Sequence, residues 1–140
     1  SWATAPVEFF INGKREATSP PGTYVILDRK WKNSDEISFT LPMGFRLTKY
    51  AGMEKGFQGK EAYALEYGPV LMAVVGKSIP KGEVDIPYTE KELLGKLKPV
   101  AGKPLHFSIT GSTDGLEYIP YFDVKGDMLD SFTCYPALKQ

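Results

Sequence analysis

Apolar side chains recur at every second position in several short stretches of this chain, and Gly, Pro, Asn or Asp bounds most of them. A period of two puts alternate side chains on one face of a pleated strand. The pattern is cleanest where Ile37, Phe39 and Leu41 alternate with Ser38 and Thr40. It returns where Leu105, Phe107 and Ile109 alternate with His106, Ser108 and Thr110. Phe45 and Leu47 alternate with Arg46 and Thr48, after Pro42 has ended the preceding strand. Val7 to Ile11 runs into Asn12-Gly13, a hairpin signal because both residues tolerate positive φ. After Pro20-Pro21-Gly22, Tyr24 to Trp31 reads as a further strand, and Asn33-Ser34-Asp35 as a polar turn. Ala62 to Tyr67 and Val70 to Val75 are apolar runs hinged at Gly68-Pro69. The second is nearly continuous, as expected of a strand covered on both faces. Gly52 to Lys60 reads as a loop and Ser112 to Gly115 as a turn; Leu116 to Phe122 and Ser131 to Tyr135 read as the closing strands.

One helix interrupts this rhythm. Thr89-Glu90-Lys91-Glu92 has the form of a capping box, with Leu93, Leu94 and Leu97 following at helical spacing and Pro99 stopping the element. Roughly eight or nine short strands at regular spacing, with no strand–helix–strand alternation, predict an all-β fold. The expected architecture is a two-sheet antiparallel β-sandwich, jelly-roll-like, with one short inserted helix. It spans residues 1–140 as a single domain. The opening Ser1-Trp2 has no initiator Met and no leader pattern, so the chain is expected to be excised from a larger protein.

Composition narrows the function more than it defines it. Aromatic residues reach 13%, with 14 Gly and 11 Pro, which fits short strands joined by tight turns. Lys and Arg total 17 against 17 Asp and Glu, with no long run of either sign, so no nucleic-acid partner is expected. No apolar stretch approaches the ~20 residues of a membrane-spanning helix, and no membrane partner is expected either. The single Cys134 excludes an intrachain disulfide.

The residues that might carry chemistry are few. Glu61 with Glu66, or Asp127 with Asp130, are candidate carboxylate pairs for glycoside hydrolysis. Glu66 shares parity with Ala62 and Ala64, while Asp127 and Asp130 flank a turn, and solvated or turn-forming roles are the preferred reading. His106 is the only histidine, so any Ser-His-Asp relay must use it. Its alternation with Ser108 and Thr110 places it on an exposed or rim face instead. One histidine and one cysteine fall short of a zinc ligand set, and neither metal nor cofactor is expected. Cys134 reads as a small buried hydrophobe. Gly56 to Lys60 is too short for a phosphate-binding loop. Trp31, Tyr24, Tyr118, Tyr121 and Phe122 are the aromatics able to form a sugar-stacking platform, with core or edge packing as the competing role. Trp31, Tyr118 and Tyr121 are the weak carbohydrate-binding candidates carried forward; no residue is assigned as catalytic.

Three blocks together resemble a known family. The first runs from Val7 to Trp31 and on to Asp35-Glu36-Ile37; it includes the Asn-Gly hairpin, Pro21-Gly22-Thr23-Tyr24-Val25 and Asp28-Arg29-Lys30-Trp31. The second is Phe39-Thr40-Leu41-Pro42-Met43, and the third Ala64-Leu65-Glu66-Tyr67-Gly68-Pro69-Val70-Leu71. Their order is similar to the β-sandwich region that follows the catalytic barrel in the β-L-arabinofuranosidase family, glycoside hydrolase family 127. The likeness covers Val7 to about Val75, and Leu105 to Tyr135 more loosely. Tyr67 stands where relatives place Arg, and Tyr121 to Asp127 departs from the family's closing segment. The family's catalytic Glu and zinc-binding cysteines lie in the helical barrel and have no counterpart here. The resemblance implies a C-terminal, non-catalytic accessory sandwich of a glycoside hydrolase, whose partner is the helical-barrel catalytic domain of the same parent chain. The alternatives are an independent carbohydrate-binding module using exposed aromatics, or an adhesion sandwich unrelated to sugar.

Overall fold

A hairpin opens the chain where Asn-Gly predicts one. In the computed structural model β1 (Val7–Ile11) and β2 (Lys14–Ser19) pair antiparallel across Asn12 and Gly13, whose φ values of 51° and 78° are those of a two-residue primed turn. The structure describes residues 2–52, 60–76, 79, 84–112, 115–126 and 132–139. These fall into two compact units, Ser1–Gly44 and Phe45–Gln140. Each is described by itself.

In the N-terminal unit β3 (Ile37–Phe39) joins the other edge of β1, giving the order β2-β1-β3. The Asn12 amide ties the hairpin tip to the following turn. Its Nδ2 donates to Asp35 Oδ1 at 2.8 Å and its Oδ1 accepts from the Glu36 backbone N–H at 2.9 Å. Asp35 also accepts from the Lys32 N–H, and that bond, followed by the one from Asn12, holds its carboxyl below the usual range. Two expectations change here. The strand read over Ile37 to Leu41 is only three residues long, and both its apolar side chains are exposed. Tyr24 to Trp31 forms no strand at all. Exposure still alternates along it, with Val25, Leu27 and Arg29 partly covered while Tyr24, Ile26 and Lys30 face outward. The period-two signal is real, but a strand needs a neighbour to complete its ladder.

The C-terminal unit is built on a seven-stranded antiparallel sheet. Its strands are β4 (Phe45–Lys49), β5 (Tyr63–Tyr67), β6 (Val70–Val75), β8 (Leu97–Pro99), β9 (Phe107–Ile109), β10 (Glu117–Pro120) and β11 (Phe132–Thr133). The order is β4-β5-β6-β10-β9-β8, and β11 pairs β6 at Val74 and Val75, beyond the Val70–Met72 stretch that β5 occupies. Gly68-Pro69 makes the β5–β6 turn, with Gly68 at φ 58° in the first central position. β7 (Asp85–Ile86) pairs in parallel with β12 (Ala137–Leu138).

Pairing aligns Leu47, Leu65, Met72 and Pro120 across the sheet, next to the Val74, Tyr118 and Phe107 row. This face forms the core together with Ile86, Leu93 and Leu138 from β7, the helix and β12, which make the second layer. Met72, Ala73 and Val74 are all fully buried, so β6 is covered on both faces as its continuous apolar run predicts. The architecture is all-β with one short helix, the class expected of a β-sandwich.

That helix, α1 (Glu90–Lys96), carries the predicted capping box. The Glu92 N–H donates to Thr89 Oγ1, while the Glu92 carboxylate accepts from both the Thr89 N–H and its hydroxyl at 2.9 Å. At seven residues it is too short to persist alone, and Leu93 anchors it in the core. Leu97, expected within the helix, instead turns extended as its C-cap and starts β8 opposite Ile109. Pro99 lies inside that edge strand. The loop expected at 52–60, the turn at 112–115, and Asp127, Asp130 and Ser131 fall wholly or largely outside the described residues.

The cap makes a thermodynamic prediction. Thr89→Ala is expected to cost about 1 kcal/mol in denaturant melts. The Thr89 backbone N–H, and then its hydroxyl, hold the Glu92 carboxyl below its usual range. Above the unfolded pKa that contribution is complete, and it is lost as pH falls through the lowered folded value, where the unfolded chain binds the proton more readily. Glu92→Gln is therefore expected to flatten the acid limb of a stability–pH curve, and an unchanged limb would contradict the assignment.

Candidate functional site

The most conspicuous surface belongs to the N-terminal unit. Tyr24 is fully exposed and Ile26 87% exposed, and Trp31, Ile37 and Phe39 are about half uncovered. Seven of the eleven large apolar side chains exposed among the described residues lie in positions 2–43, so the apolar exposure concentrates in this unit. The Phe9 and Phe39 rings lie 5.2 Å apart across the β1–β3 pair. The Arg29 guanidinium sits 5.2 Å over the Trp31 ring and 3.5 Å from the Asp35 carboxylate. Its Nε is buried without a hydrogen-bond partner among the described residues.

The carboxylate candidates do not converge. Glu66 lies on the even face of β5, where its Oε2 accepts from Arg46 Nε at 2.9 Å and Thr48 Oγ1 at 3.0 Å. The Arg46 guanidinium completes the ion pair at 2.7 Å. Glu61 pairs instead with Lys49 and accepts from the Tyr63 hydroxyl at 2.8 Å, both odd-face residues. The two acids thus serve opposite faces of the sheet. Donation to Glu61, with burial second, pushes the Tyr63 phenol far above its usual pKa, while the Lys49 and Tyr63 bonds lower that of Glu61.

His106 is half-buried rather than fully exposed. It precedes β9 after Leu105, whose φ of 58° breaks the strand's alternation, and its side chain is only 19% exposed. Nε2 lies 3.5 Å from the Asp123 carboxylate, and Nδ1 is buried without a hydrogen-bond partner among the described residues. No hydroxyl or thiol is bonded to it among those residues. Cys134 is partly buried rather than fully so, and burial raises its thiol pKa. No cluster of three His, Cys, Asp or Glu suited to a metal ion occurs among the described residues. Nor is any helix there long and apolar enough to cross a membrane.

The three carbohydrate candidates occupy different settings. Trp31 belongs to the N-terminal unit and is 48% exposed; Tyr121 begins a 3-10 turn over Tyr121–Asp123 in the C-terminal unit and is 52% exposed. Tyr118 points into the core at 0% exposure and has no ring face open to a sugar. Parity explains this: Tyr118 shares the face of Phe107 and Val74. Sequence reasoning passed over Tyr50 and Tyr135, whose rings meet at 5.0 Å. They are far apart in the chain, and no periodic signal links them.

Residues 1–43 match a family model described as Beta-L-arabinofuranosidase, GH127 middle domain. The match supports a relationship to that family. It coincides with the N-terminal unit, almost residue for residue. It names a middle domain, which gives no support to a C-terminal placement, and it stops before the Ala64–Leu71 block. A comparison with curated proteins returns no match.

Burial of Tyr118 makes a prediction. Its hydroxyl is enclosed without a hydrogen-bond partner among the described residues, and burial drives its pKa sharply upward. An unpaired buried hydroxyl costs roughly 1–3 kcal/mol. Tyr118→Phe is therefore expected to leave the melting temperature unchanged or raised, and a clear drop would reveal a partner for the hydroxyl.

Proposed function

We propose that this chain is a non-catalytic accessory β-sandwich portion of a glycoside hydrolase related to the β-L-arabinofuranosidases. In this reading it packs on a helical catalytic barrel of the same parent protein and supports it. The observation that carries the reading is the apolar face of the N-terminal unit, which falls within the segment that matches the middle-domain model. Side chains such as Tyr24 and Ile26 cost free energy in water and gain it when a partner surface covers them. The chemistry of the described residues agrees with a supporting role, because Glu61 and Glu66 are engaged in separate ion pairs and His106 lies against Asp123. An independent sugar-binding module built on Trp31, Tyr118 and Tyr121 is less well supported, because Tyr118 is enclosed.

Paired substitutions test the proposal. In this chain alone, Tyr24→Ser with Ile26→Ser is expected to change stability by no more than about 0.5 kcal/mol per site, as exposed positions do. In the parent protein that carries the barrel, the same pair is expected to lower the barrel's calorimetric transition by several degrees. An equal response in both settings would refute the packing role.

A further inference from the structure

The face of the seven-stranded sheet that carries Glu66 has an open groove of about 490 Å³, within the roughly 300–1,000 Å³ of small-molecule sites. Its walls include Arg46, Thr48, Tyr50, Glu66, Leu71 and Tyr135. We infer that this groove binds a neutral saccharide, with the Tyr50–Tyr135 ring pair as the stacking wall and the Arg46–Glu66–Thr48 cluster as the hydroxyl-binding wall. The inference stands on the C-terminal unit alone. It does not rest on the packing role proposed above, since the groove lies outside the matched residues 1–43.

Charge selects the ligand class. The charged side chains that this face presents to the groove neutralise each other: Arg46 pairs with Glu66. An anionic or cationic ligand would have to displace one of these partners. A polyol need not, because both Arg46 donors and the Thr48 hydroxyl converge on one oxygen, Glu66 Oε2. Among the described residues the remaining guanidinium N–H groups and the second carboxylate oxygen take no bond, which leaves a donor beside an acceptor. Such a planar donor–acceptor pair matches vicinal hydroxyls, while Leu71 and the tyrosine rings suit the C–H face of a sugar ring. Gly52 makes room for the aromatic wall. A methyl group at Gly52 would collide with the Tyr50 phenol, so that position keeps room for the ring only while it lacks a Cβ.

The test is an NMR titration of the intact chain with the neutral oligosaccharides xylotetraose and cellotetraose, and with tetragalacturonate as the anionic counterpart. At least one neutral tetraose is expected to give saturable shifts centred on the amides of Thr48, Ala51, Ala64 and Leu71. This mapping uses the unsubstituted protein and so does not depend on any variant folding. Tyr135→Leu and Gly52→Ala are each expected to weaken binding about tenfold or more, equivalent to about 1.4 kcal/mol. Trp31→Ala and Tyr121→Ala should leave it unchanged. The inference is overturned if neither neutral sugar saturates, if shifts centre elsewhere, if tetragalacturonate binds as tightly, or if affinity follows Trp31 or Tyr121 instead.

Discussion

The two-residue turn at Gly68-Pro69 fixes the register between β5 and β6, and the rest of the C-terminal unit inherits it. With Tyr67 opposite Val70, Leu65 must face Met72, and β10 then sets Pro120 and Tyr118 against Met72 and Val74. A slip of one residue would carry this entire column to the other face of the sheet. It would expose Leu65 and Met72, each worth roughly 1.5–3 kcal/mol when buried, and bring the Glu66 carboxylate into the core. Glycine takes the positive φ without strain and proline fixes the next φ, so the local chemistry of the turn and the pattern of burial agree on one register.

The same alternation divides the sheet's labour. The face that carries Leu65 and Met72 packs against the helix and the β7–β12 pair, and its chemistry is that of a closed core. The opposite face holds the Arg46–Glu66 pair beside Thr48, where charge is neutralised locally and left in reach of solvent. The N-terminal unit has no such balance. Asn12 and Asp35 lock its hairpin to the following turn through polar bonds, while apolar rings and aliphatic side chains face outward. A well-tied backbone beneath an uncovered apolar surface is what sets this unit apart from the sheet.

Much of this was legible in the chain. The Asn12-Gly13 hairpin, the capping box at Thr89, and the strands at Phe45–Lys49 and Val70–Val75 all follow from local residue chemistry. Alternation reports which side chains share a face, but not what lies against that face. That is why Ile37 and Phe39 stand exposed, and why Tyr24–Trp31 keeps its alternation without becoming a strand. Tyr118 shows the converse, since an aromatic at the right parity for Phe107 and Val74 goes to the core however suitable it is for stacking. His106 lies half-buried before β9, because a single positive φ at Leu105 ends the pleat there. Groupings such as Tyr50 with Tyr135 are set by tertiary packing, which no local period encodes.

The parallel pairing of β7 with β12 has a consequence for the order in which the chain assembles. Ala137 and Leu138 meet Asp85 and Ile86, Ala137 also bridges to Ala62, and the Leu138 N–H donates to the Glu61 carbonyl. Two regions distant in the chain are thus clasped by one short segment. Loop-closure entropy must be overcome before such distant contacts give anything back, so hairpins such as β5–β6 form early and the clasp forms late. During vectorial synthesis Ile86 has to wait for Leu138, about fifty residues later, and the core stays open on that side until that segment has been made.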